Sequence, residues 1–187
     1  MNIIRLRALE PEDLDTLYHI ENDRDLWDVG TTNVPYSRYA LHNYIATASG
    51  DIYTDRQVRL MVVLSPAIDK TSMSNDEAQH HIAIGMADLF NFDPSHRRAE
   101  VGIVIMKDQR QKGYALEAIR QLHDYAHHTL HLHQLYAVVA ANNRPALCLF
   151  RSSGYSESAC LSQWLFNGDS YTDAIVMQKI LGSSKNC

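Results

Sequence analysis

The sequence predicts a single α/β (α+β) domain with a mixed sheet, and three observations predict it. Apolar, strand-like segments alternate with segments of helical periodicity in the order β-αα-βββ-α-β-α-ββ, seven strands and four helices. A length of 187 residues suits one domain. Hydrophobic residues make up 45% and charged residues 21%, the balance of a globular protein with a substantial core. Residues 1–182 are expected to form the domain and 183–187 a C-terminal tail.

The elements follow in order. Ile3 to Ala8 alternates as an opening strand. Glu10-Pro11-Glu12-Asp13-Leu14 starts a helix, with proline near the first helical position and acids in the first turn. Leu17 and Tyr18 continue it, and Asn22-Asp23-Arg24-Asp25 ends it. Tyr36 to Tyr53 supports a second helix, with Leu41, Tyr44, Ile45 and Ala48 as its buried face. Val58 to Leu64 is a strongly apolar strand, and Ser65 to Gln79 lacks periodicity and reads as a loop. His81 to Phe92 is a strand, Asp93-Pro94-Ser95-His96 a turn, and Ala99 to Met106 the next strand. Gly113 to about Leu130 is a helix on the spacing of Ala115, Ile119, Leu122 and Ala126. Leu135 to Val139 is a short buried strand. Asn143 caps a further helix with Pro145 just inside it and Gly154 at its C-terminal end. Leu161 to Phe166 and Tyr171 to Ile180 are strands joined at Asn167-Gly168.

Charge narrows the function classes. A net charge of −5 and an isoelectric point near 6.0 leave no overall basic field for nucleic acid or anionic lipid. No apolar run approaches the roughly 18 residues of a membrane span. Cys148, Cys160 and Cys187 have no metal-ligand or CxxC spacing, and their odd number fits a reducing compartment. Met1 to Leu9 lacks the continuous apolar segment of a secretory signal, so a cytoplasmic location is expected.

The stretch from Ala99 to Ala115, AEVGIVIMKDQRQKGYA, is the most informative. An apolar strand runs into a basic, glycine-punctuated loop and a helix opens at once, an order that presents backbone N–H groups to a phosphorylated cofactor. Small residues at Gly113 and Ala115 admit a diphosphate close to the backbone, and Arg110 and Lys112 add charge. Neither GxxxxGK[ST] nor GxGxxG is present. Taken alone, the six residues also fit a basic turn before a surface helix.

The loop, with its VGIVI strand, resembles the GNAT superfamily of N-acetyltransferases. The block Asn143-x-x-Ala146-x-x-x-Phe150-x-x-x-Gly154-Tyr155 is similar to that superfamily's second coenzyme A contact. His96-Arg97-Arg98-Ala99-Glu100, Arg5 to Glu10 and Asn167-Gly168 resemble its spermidine and ribosomal-protein-alanine acetyltransferase branch. The resemblance spans nearly the whole chain and implies a mostly antiparallel sheet of about seven strands flanked by about four helices. It implies acetyl-coenzyme A as donor, a primary amine as acceptor and no metal. Ile103, Val104 and Ile105 would hold the pantetheine and acetyl carbonyl like an added strand. Arg110, Gln111, Lys112, Gly113, Tyr114, Ala115 and Leu116 would take the pyrophosphate. Asn143 would contact the pantetheine arm, with Ala146 and Phe150 in the same block. A homo-oligomer is left open.

Acetyl transfer needs a neutral amine, a polarised thioester carbonyl and a proton for the departing thiolate. By resemblance Glu100 accepts the amine's proton through water; equally, it can pair with Arg97 or Arg98 at a strand start. Asp88 on the neighbouring strand is a second carboxylate. Many relatives carry a proton-donating tyrosine where this chain has Phe150. Tyr155, Ser152 or Cys148 could substitute, the thiolate could leave unaided, or transfer could be slow or lost. A coenzyme A-binding sensor or complex subunit is therefore the competing expectation.

The acceptor is open between polyamines, other small amines and protein or peptide amines. Thr31-Thr32-Asn33-Val34-Pro35 is neutral where polyamine-acetylating relatives carry acids, although Asp23, Asp25 and Asp28 precede it. Trp27, Tyr36, Tyr39, Tyr44 and Tyr53 are expected to pack as core or lid, with amine recognition as the alternative. His123, His127 and His131 recur every four residues on one helix, but no convergent third ligand type completes a metal site, and a polar helix face accounts for them.

Overall fold

Alternation along the apolar segments builds one sheet from β1 (Ile3–Ala8), β2 (Val58–Ser65), β3 (Ile82–Asp93), β4 (Arg98–Ile105), β5 (Gln134–Ala140), β6 (Ser156–Phe166) and β7 (Tyr171–Ile180). Its order is β1-β2-β3-β4-β5-β7-β6. All neighbours are antiparallel except β4 and β5, which run parallel. The helices are α1 (Leu14–Glu21), α2 (Arg38–Thr47), α3 (Ile52–Asp55), α4 (Tyr114–Asp124) and α5 (Arg144–Ser152). The computed structural model describes residues 3–26, 34–65 and 82–182, without the side chain of Asp25. Of the loop expected over 65–79, Ser65 ends β2, while 66–79, with Trp27, Asp28, residues 31–33, His81 and the 183–187 tail, lies outside the described residues.

The period of two in β2 sorts its side chains onto two cores. Met61 and Val63 face Leu17, Ile20 and Leu41 of α1 and α2. Val62 and Leu64 join the larger core with Leu89, Leu135 and the α4 residues Ile119 and Leu122. Burial of such side chains contributes on the order of 2 kcal/mol each. At the entry to α1, Arg7 donates to both oxygens of the buried Asp13 at 2.5 and 2.7 Å, and Asp13 accepts the Glu10 N–H at 2.9 Å. That ties the first strand to the first helix.

Three elements differ from the sequence expectation. The helix expected over 36–53 breaks into α2 and α3, because Gly50 adopts φ +70° and Asp51 caps α3 by accepting the Tyr53 N–H at 3.0 Å. The helix from Gly113 keeps α-geometry only to Asp124 and then widens into a π-turn over Tyr125–Thr129, closed by Leu130 N–H donating to the Tyr125 carbonyl at 3.1 Å. Strand β6 begins at Ser156, five residues before the apolar segment. It is an edge strand with bulges and almost no buried side chain, so no hydrophobic alternation marks it.

Candidate functional site

The parallel contact between β4 and β5 is short. Arg98 pairs with Gln134, Ala99 with Leu135 and Glu100 with Tyr136, and there the ladder ends. Beyond it β4 stays on β3, with Ile103 opposite Ala87, while β5 stays on β7, with Val138 opposite Val176. The two strands therefore part, and residues 101–104 and 137–140 line a cavity of about 580 Å³ between them. Strand edges facing a gap require hydrogen-bonding partners, and an extended amide-bearing ligand supplies them.

Strand β4 leaves this cavity into the basic loop. Gln111 and Gly113 both take left-handed backbone, φ 61° and 80°, turning the chain so that α4 begins at Tyr114 with no side chain capping its N-terminus. Arg110, Gln111, Lys112 and Gly113 are exposed. Arg110 Nε donates to the Ile105 carbonyl at 2.8 Å, which folds the arginine back against the strand end. An uncapped helix N-terminus beside two cations suits a diphosphate.

On the opposite wall, Asn143 caps α5 by accepting the Ala146 N–H at 3.2 Å. Asn143, Ala146, Leu149 and Phe150 line the cavity. Of the residues singled out in the sequence, Ile103, Val104, Asn143, Ala146 and Phe150 thus meet around one space, whereas Ile105 is buried in the larger core. These features fit coenzyme A: a strand edge for pantetheine, a helix N-terminus for pyrophosphate and an apolar wall.

The other end of the cavity is closed by α1, α2 with the segment leading into it, β2 and β3, through Glu21, Tyr36, Tyr44, Arg59, Asp88 and Phe90. Arg59 and Asp88 are direct cross-strand partners. Arg59 Nε and Nη2 donate to the two Asp88 oxygens at 3.0 and 2.9 Å, and Nη1 donates to Glu21 at 2.5 Å. Burial opposes the guanidinium charge, but Asp88 and Glu21 outweigh it and hold Arg59 protonated well above its ordinary range. Burial also raises the Tyr44 phenol, with Arg59 opposing. Arg59 and Glu21 were not legible as site residues; the signal was a lone arginine inside an apolar strand segment.

Glu100 lies just outside. It faces Phe90 across β3 and β4 and accepts a hydrogen bond from Asn91 Nδ2 at 2.9 Å rather than from Arg97 or Arg98. Its neighbour Tyr136 is raised first by burial and then by the Glu100 charge. Asp88 opposes Gly102 in the same register, so both carboxylates project from one sheet face. Asp88 lines the cavity and Glu100 does not.

Three groups were candidates for the missing proton donor. Tyr155 is buried outside the cavity, its hydroxyl 3.1 Å from His123 Nε2. Ser152 and Cys148 are exposed on α5 and also outside the lining. Tyr36 and Tyr44 do line it, and the Tyr44 hydroxyl accepts from Gln57 Nε2 at 3.3 Å. The histidine series has no metal geometry: among the described residues no cluster of His, Cys, Asp or Glu could hold an ion. Also among the described residues, no helix is long and apolar enough to cross a membrane.

Comparison with known proteins agrees with this geometry. The family model described as Acetyltransferase (GNAT) domain matches residues 4–156. The chain is 27% identical over 186 residues to the spermidine N(1)-acetyltransferase of Vibrio cholerae serotype O1, covering 97% of this chain and 98% of that protein. A crystal structure of the Vibrio cholerae spermidine N-acetyltransferase with CoA and spermine superposes with a TM-score of 0.77 at 27% identity, covering 95% of each chain. A dodecameric structure of the Vibrio cholerae enzyme gives 0.73 at 26% identity, over 98% of this chain and 96% of that one. The chain uses acetyl-CoA as donor and acetylates an amine, and it belongs to the acetyltransferase (GNAT) domain family.

Proposed function

We propose that the acetyl donor lies along the parted β4 and β5 edges and that a small primary amine enters from the end bounded by Glu21, Tyr44, Arg59 and Asp88. The carrying observation is that one cavity is continuous from those strand edges to the charged side chains of Glu21, Arg59 and Asp88 in its lining. Backbone groups of Ile103 and Val104 hold the pantetheine, Arg110 to Leu116 hold the pyrophosphate, and Asn143 steadies the arm. The amine nitrogen attacks the thioester carbonyl carbon, the carbon–sulfur bond breaks with its electron pair leaving on the coenzyme A thiolate, and the amine's surplus proton passes through water to Asp88 or Glu100. The Vibrio cholerae relative is named for spermidine, which makes polyamines the reference acceptor. The dodecameric relative makes self-association the expectation for this chain.

A second reading rests on Phe150. A wall lacking a hydroxyl at that position favours slow turnover, and so a coenzyme A-binding sensor. Thiol release from acetyl-CoA against polyamines, arylalkyl amines, lysine peptides and N-terminal peptides separates the two. Turnover with one pool supports the acetyltransferase. Tight CoA binding with no thiol release from any pool supports the sensor.

A further inference from the structure

The acceptor end of the cavity already contains a cation. Among the described residues its charged lining consists of Glu21, Arg59 and Asp88, which together carry one net negative charge. The groups that would ordinarily receive a substrate ammonium surround Arg59 instead. Both Asp88 oxygens accept from it, Glu21 accepts from Nη1, and the guanidinium carbon lies 5.4 Å from the centre of the Tyr44 ring. The arrangement is set by the fold: Arg59 and Asp88 face each other across β2 and β3, and Glu21 ends α1. All three side chains are largely removed from solvent, at 20%, 18% and 17% exposure for Arg59, Asp88 and Glu21.

Desolvated charge must be matched by opposite charge. A singly charged amine balances the surplus of one. A triply charged polyamine would bring two positive charges more than these three side chains balance unless Arg59 were expelled. Beside them the described wall carries Leu26, Tyr36, Met86 and Phe90, apolar or aromatic, with Gln57 as an uncharged polar neighbour. Resting on the acceptor-site reading above, we propose that Arg59 is a specificity-determining residue, a resident cation that makes this pocket select amines with one positive charge and an apolar or aromatic body over polycationic amines.

The test compares 2-phenylethylamine with spermidine, both as substrates under saturating acetyl-CoA and as ligands by calorimetry in the presence of CoA. The wild type is expected to favour 2-phenylethylamine by about tenfold or more in kcat/KM and in affinity. Arg59→Met exposes two carboxylates and is expected to shift that ratio toward spermidine by about tenfold or more, with spermidine raising its Tm more than it raises that of the wild type. Glu21→Gln, which removes the surplus charge, is expected to raise KM for 2-phenylethylamine about tenfold while kcat changes by less than about threefold. Tighter binding and faster turnover of spermidine by the wild type overturns the inference and leaves the site intact, whether or not Arg59→Met folds. An unchanged ratio in folded Arg59→Met overturns it too. Failure to bind CoA, or to bind either amine, overturns the site reading itself and the inference with it.

Discussion

Phe150 and Tyr155 pack edge to face, with ring centroids 5.0 Å apart and ring planes at 75°, and the one hydroxyl of the pair is held by His123 outside the cavity that Phe150 lines. Sequence proximity made Tyr155 a candidate proton donor, and the packing removes it from the reacting end. Tyr155→Phe is expected to leave kcat within about threefold and to cost about 1 kcal/mol of stability through the lost hydrogen bond. Phe150→Tyr puts a hydroxyl on the wall and is expected to raise kcat about tenfold or more. Thiol-release kinetics read both. An unchanged kcat in folded Phe150→Tyr would mean that the thiolate departs unaided.

Arg110 and Gly113 shape the loop in different ways. Arg110→Ala removes a cation and the bond to the Ile105 carbonyl, so the Kd for CoA is expected to rise about tenfold at low salt and less at high salt. Gly113→Ala has open space around its new methyl but must keep φ +80°. The expected cost is about 1 kcal/mol of stability, from backbone strain alone. Titration calorimetry and thermal melts distinguish the two effects.

Gly85 has no such room. A Cβ there would lie 2.1 Å from the Val104 carbonyl oxygen, a backbone atom of the cavity strand. Gly85→Ala is expected to cost about 3 kcal/mol or more and to lower Tm by about 10 °C. CoA affinity should fall with it, because relief of the clash moves β4. A variant melting within a degree or two of the wild type would contradict this.

His123 sets a pH dependence. Burial first, and the Lys179 charge second, lower its pKa from 6.5 to about 4. Between those values the unfolded chain binds a proton that the folded protein refuses, so stability is full above pH 6.5 and declines as pH falls toward 4, by about 3 kcal/mol. Asp15 held low by Arg38, Asp51 by the Tyr53 N–H and Asp93 by the His96 N–H contribute stability that is lost only below their ordinary range near 3.8, a separate and more acidic window. Denaturant midpoints at pH 7 and 4.5 should differ for the wild type and differ much less for His123→Gln.

What was legible in the sequence was whatever local periodicity or chain order dictates. The two-faced β2, the glycine-turned loop from Arg110 and the Asn143 cap with its proline are all local patterns, and each sits where its pattern implied. The acceptor end is assembled from α1, α2, β2 and β3, so Glu21 and Arg59 carried no shared signal along the chain. Only a charge stranded in each of two apolar segments, Arg59 and Asp88, hinted that they meet. Asp88 stands out in the sequence as a carboxylate on the neighbouring strand, whereas nothing else along the chain marks Arg59 as its partner. Edge strand β6 was read five residues short because an exposed strand has no face to hide, and the helix after Tyr36 was read too long because Ser49-Gly50-Asp51 competes with helix by side-chain and backbone effects that hydrophobic periodicity does not register.

The three-pair seam between β4 and β5 has a mechanical consequence. Four strands lie on one side of it and three on the other, so the sheet behaves as two plates meeting at a narrow fold line, with α4 and α5 laid across one surface. A molecule seated between the parted strands therefore bridges the two plates, touching β4 on one and β5 on the other where no backbone ladder joins them.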